Sequence, residues 1–99
     1  MNRKNLSREY AGNLTELRKI INSFDLIPNA PNDEFDSLIH KILSHLYKGF
    51  DLEKINKILQ SELIVTYGLY DTEFDERIIA DKIFNWWILK NDKKYRESN

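Results

Sequence analysis

Residues 33–49 read Asp33-Glu34-Phe35-Asp36-Ser37-Leu38-Ile39-His40-Lys41-Ile42-Leu43-Ser44-His45-Leu46-Tyr47-Lys48-Gly49. Phe35, Leu38, Ile39, Ile42 and Leu46 recur at intervals of three and four, the spacing that gathers them on one face of an α-helix. Asp33 stands where an N-cap belongs, with Asp36 three positions on to offset the unpaired amides and the positive end of the dipole. Gly49 closes the segment, because glycine enters the left-handed conformation at little cost. The pattern predicts a helix over 33–48.

The neighbouring segments repeat that logic. Leu6, Tyr10, Leu14, Leu17, Ile21 and Phe24 predict a helix over 6–24, which has to stop before Pro28 and Pro31. Asp51 is the N-cap of a third helix carrying Leu52, Ile55, Ile58, Leu59 and Leu63. Its end, Leu63-Ile64-Val65-Thr66-Tyr67, is rich in β-branched and aromatic residues and also fits a strand. With no partner strand in sight and Gly68 as a stop, a helix over 51–67 is the reading. Thr72 with Asp75 three residues on resembles a capping arrangement. Phe74, Ile78, Ile79, Ile83, Trp86 and Trp87 then predict a helix over 72–90, with residues 91–99 a polar, fraying tail. Four helices on short connections predict an all-α single domain, a four-helix bundle or orthogonal array.

Composition agrees with one folded domain: 99 residues, 41% hydrophobic, only 3 Gly and 2 Pro. The absence of Cys excludes disulfides, thiolate metal sites and a cysteine nucleophile. No export signal opens the chain, and its longest apolar run, residues 83–89 broken by Asn85, is far short of the roughly 20 residues that span a bilayer. A cytoplasmic protein without a membrane partner is expected. The net charge of −1 conceals segregation. Residues 25–39 hold four acidic side chains and no basic one, and residues 61–81 hold six acidic against one basic. Basic side chains show no aromatic interleaving, so nucleic acid is not the expected partner.

Catalytic and metal patterns fail one by one. His40 and His45 lie about 140° apart around a helix and do not face one ion. Asp36 and His40 share a face, where a simple i,i+4 ion pair is expected. Residues 25–36 have the length of a calcium loop, but Ile27 and Ala30 occupy positions that need an oxygen ligand and a glycine. Gly12, Gly49 and Gly68 stand too far apart for a phosphate loop. Ser37 or Ser44 forms a triad with a His and an Asp only by combinatorial coincidence, with no nucleophile elbow. The expectation is a chain without catalytic residues, cofactor or metal.

Two features remain. Asp71, Glu73, Asp75, Glu76 and Asp81 crowd the start of helix four, with Asp71 and Asp75 on one side if both are helical. The apolar set of that helix exceeds one stripe. Ile79, Ala80, Trp86 and Trp87 lie within about 60° of Ile83, Phe84 and Ile88 near 100° and 140°, and Ile78 and Leu89 opposite. Such a helix is either surrounded by the other three, the favoured arrangement, or carries an exposed patch. The two indoles do not point the same way, so one belongs at the edge of the core.

From Phe24-Asp25 onward the chain carries Pro31-Asn32-Asp33-Glu34-Phe35-Asp36, Ile39, Ile42-Leu43, Gly49, Ile55, Leu59, Tyr67-Gly68 and Ile79-Ala80, closing on Ile83 and Trp86-Trp87. This pattern, over about two thirds of the chain, resembles the YugE-like group of small bacterial helical domains of unknown function. The resemblance implies a four-helix fold and a bacterial origin, not an activity. Size, missing catalytic groups and segregated acidity together suggest a small non-catalytic protein-binding domain. The expected form is an immunity protein that neutralises a basic bacterial toxin domain through Asp71, Glu73, Asp75 and Glu76. The alternative is a self-associating or adaptor domain using the apolar side of helix four through Phe84, Ile88 and Leu89, and Phe84, Trp86, Trp87 and Ile88 join the acidic four as candidate partner-binding residues.

Overall fold

Asp51 is an N-cap in the computed structural model: its carboxylate accepts from the Lys54 N–H at 3.1 Å, satisfying one of the amides a helix start leaves open. The structure describes residues 3–97, with side chains over 8–91. Leu6 and the last residues of the expected tail lie outside the side chains so described. Four helices result: α1 (Arg3–Asn22), α2 (Asp36–Tyr47), α3 (Leu52–Ser61) and α4 (Glu76–Glu97), with α3 prolonged by a π-helical turn over Glu62–Thr66. No strand occurs among the described residues, and the fold is an all-α bundle. No helix is long and apolar enough to cross a membrane among them.

The helix limits differ from the sequence pattern where turns intervene. α1 stops at Asn22, and Asp25 takes a left-handed φ of 49° just beyond it, leaving Phe24 outside the helix but packed on the core. Pro28 and Asn29 then occupy the middle of a turn closed by the Ala30 N–H on the Ile27 carbonyl. Asn29 has φ 65°, a value asparagine tolerates at the third position of such a turn. Asp33 does not cap α2. Two successive turns, Glu34 N–H to the Pro31 carbonyl and Asp36 N–H to the Asp33 carbonyl, use up that segment, and α2 begins at Asp36 with Phe35 at the cap.

The strand alternative for residues 63–67 is excluded, because the segment is helical but widened. The Tyr67 N–H reaches back five residues to the Glu62 carbonyl, and the Leu69 N–H reaches six to the Leu63 carbonyl. A regular glycine-closed helix end spans five in that last bond, as at Gly49, where the Phe50 N–H meets the His45 carbonyl. The extra residue keeps Leu63 and Leu69 buried and turns Val65 out to solvent at 79% exposure. α4 starts at Glu76, not at residue 72, and continues helical through residues 91–97, where a frayed tail was expected.

Leu17 and Ile21 of α1, Leu38, Ile39, Ile42, Leu43 and Leu46 of α2, Ile55, Leu59 and Leu63 of α3, and Ile79, Ala80 and Ile83 of α4 form one buried cluster. Burying each of the larger side chains contributes roughly 1.5–3 kcal/mol, before the entropy of ordering the chain is set against it. Each helix packs on the next and α4 returns to α1. Part-exposed ion pairs join the same neighbours: Arg18 grips Asp36 with two bonds of 2.9 Å, Lys41 meets Glu62, and Lys90 meets Glu16. The expected Asp36–His40 pair is therefore not formed. Asp36 is held by Arg18 from the antiparallel neighbour, whose planar fork matches a carboxylate.

The hydrogen bond from Lys90 holds the Glu16 carboxyl below the usual carboxylate range, and Lys41, then Thr66, does so for Glu62. These carboxyls are more acidic folded than unfolded. Their stabilisation is present above the unfolded pKa and is lost as pH falls through the folded one.

Candidate protein-binding surface

The segment between Gly68 and α4 is shaped by its own acidic residues. The Glu73 N–H donates to the Tyr70 carbonyl at 2.9 Å, while the Tyr70 N–H donates to the Glu73 carboxylate at 3.0 Å, so the turn is closed from both sides. Asp75 Oδ1 accepts from the N–H groups of Arg77 and Ile78, at 3.1 and 3.4 Å. The cap of α4 is thus Asp75 and not Thr72. Asp71 sits in the preceding turn, so Asp71 and Asp75 do not share a helix face as the pattern predicted.

Asp71, Glu73 and Asp75 are exposed, and Glu76 is half-buried at the first helical position. All four lie within one short stretch, yet none forms an ion pair among the described residues, in contrast to Glu16, Asp36 and Glu62. Beside them is a pocket of about 210 Å³ walled by Phe24, Leu26, Phe74 and Ile78, with Glu73 and Asp75 at its edge. The Phe24 ring carries the chain's own Lys82 ammonium 5.4 Å from its centre. Tyr70 and Ile78, at 75% and 57% exposure, add apolar surface to the acidic rim.

The second candidate set lies elsewhere. From Asp75 to Trp87 is twelve residues of helix, about 18 Å. α4 is not surrounded by its neighbours. Its Ile79–Ala80–Ile83 face is buried against α1 and α3, whereas Ile88 and Leu89 are exposed. Phe84, Trp86 and Trp87 are half-buried and pack on the core. Trp86 donates from Nε1 to Glu16 at 3.4 Å and lies under the Lys90 ammonium. Trp87 meets Tyr47 edge-on, 5.1 Å between centres. These indoles seam α4 to α1 and α2, and Ile88 and Leu89 are the apolar side chains they leave outside.

A larger concavity escaped the sequence reading. Between α1 and α2 runs an open groove of about 710 Å³ lined by Tyr10, Ala11, Leu14, His40, Ser44, Tyr47 and Lys48. The Tyr10 ring stacks on Tyr47 at 5.8 Å, and its hydroxyl lies 3.3 Å from His40 Nδ1. Asn13, 1% exposed, donates from Nδ2 to the Tyr47 hydroxyl at 2.8 Å. The residues recur at helical spacing within each helix, but only the antiparallel register of α1 on α2 brings the two sets together. Among the described residues no three His, Asp or Glu side chains converge as a metal site would require. No protein-family model, curated protein or solved structure matches the chain.

Proposed function

We propose that this chain is a non-catalytic protein-binding domain of the cytoplasm that recognises a basic partner through the entrance of α4. The observation carrying the reading is that four neighbouring carboxylates, Asp71, Glu73, Asp75 and Glu76, form no ion pair among the described residues and lie beside an apolar pocket. Such an arrangement steers a positively charged surface inward and offers it somewhere to bury apolar stems. In its most specific form the partner is a basic toxin domain and the chain is its immunity protein. The YugE-like resemblance adds no activity to this reading, since that group has no assigned function.

The test has to separate charge from folding. Glu73 and Asp75 hold the local backbone, and Asp75→Ala should cost about 1 kcal/mol as a lost N-cap. Asp71 and Glu76 carry no such bond. D71K/E76K should therefore fold normally by circular dichroism yet bind an amphipathic Leu/Lys peptide at least about five-fold more weakly in calorimetric titration. Wild-type affinity should also fall as salt rises from about 50 to 300 mM. Affinity indifferent to both would sink the proposal.

The exposed pair Ile88 and Leu89 favours a second reading, self-association. That apolar surface is small, because Lys82 and Asn85 separate it from Ile78 along the same face. Sedimentation velocity between micromolar and millimolar protein should show a concentration-dependent rise in mass that I88E/L89E abolishes; an unchanging monomer would remove this alternative.

A further inference from the structure

The groove between α1 and α2 serves neither of those readings. One wall is built on Tyr47, whose hydroxyl accepts from Asn13 and whose ring meets Trp87 edge-on and stacks on Tyr10. Its volume, about 710 Å³, falls within the range of small-molecule sites, and aromatic and aliphatic side chains dominate it. Among the described residues no carboxylate lines it. Lys48 is the formal positive charge in the lining and makes no ion pair among the described residues.

We propose that this groove binds a small organic anion with an aromatic or other apolar body, seated between Tyr10, Leu14 and Tyr47 with its carboxylate at Lys48. The apolar body supplies the affinity and the cation sets the sign of the charge accepted. Because the groove is open, affinity for a fragment is weak, and discrimination by charge is the sharper signature.

A matched series of probes isolates it: 4-phenylbutyrate, 4-phenylbutan-1-ol and 4-phenylbutylamine share one apolar body and differ in charge. Titrated into the full chain and followed by amide NMR shifts, the anion should bind at millimolar concentration, moving Ala11, Ser44 and Tyr47. The amine should bind about three-fold more weakly, as expected where an exposed ion pair is exchanged for a like-charge contact. Lys48→Glu, at an exposed position, should reverse that order. Ala11→Trp, also exposed and helical, should fill the groove and abolish the shifts while leaving the helical circular dichroism intact. The proposal is overturned by equal binding of the three probes, by shifts centred elsewhere, by binding that survives Ala11→Trp, or by no binding of the anion.

Discussion

Ile83→Ala should lower the stability of the chain by about 3 kcal/mol, the usual cost of emptying a fully buried site of this size. Ile83 is 0% exposed and belongs to the cluster that α4 shares with α1 and α3. A domain of 99 residues has roughly 5–15 kcal/mol of net stability, so the variant would lose between about a fifth and three fifths of it. Urea denaturation should show a lower midpoint with an unchanged slope, since the surface exposed on unfolding is nearly the same. Ile78→Ala removes the same atoms from an exposed position and should change stability by less than about 0.5 kcal/mol. Equal losses at the two positions would contradict the orientation of α4.

The same methyl group should act with opposite sign at two glycines. Gly68 holds φ 70° at the close of the π-helical turn, and a Cβ there would meet nothing within 4 Å. The cost of Gly68→Ala is therefore conformational rather than steric, about 1–2 kcal/mol. Gly12 lies inside α1, where an added Cβ also meets nothing, and Gly12→Ala should stabilise by about 0.5–1 kcal/mol. Thermal or urea unfolding of both variants reads the pair directly. A neutral Gly68→Ala would mean that the left-handed geometry is not retained in solution.

What was legible in the sequence is local. The apolar spacing, the Asp51 cap and the two stop glycines depend on residues three to five apart, and each helix announces itself that way. Asp33 and Thr72 misled because a turn and a cap use the same residue types, and only the path of the chain decides between them. The π turn has no spacing of its own: Leu59 and Leu63 fit an ordinary helix until the following residues are seen. Arg18 and Asp36, or Tyr10 and Tyr47, are brought together by helix packing across 18 and 37 positions. The acidic entrance was readable as composition, but its division into backbone-holding Glu73 and Asp75 and unengaged Asp71 and Glu76 was not.

The placement of the two indoles has an optical consequence. The chain has two tryptophans, and both stand at the far seam of α4, against Glu16 and Tyr47, outside the aliphatic centre. Their emission therefore reports whether α1 and α2 are seated on α4, and it stays silent about disorder confined to the opposite end of the bundle. With Tyr47 5.1 Å from Trp87, light absorbed by that phenol is passed efficiently to the indole, and only full separation of α2 from α4 would restore tyrosine emission.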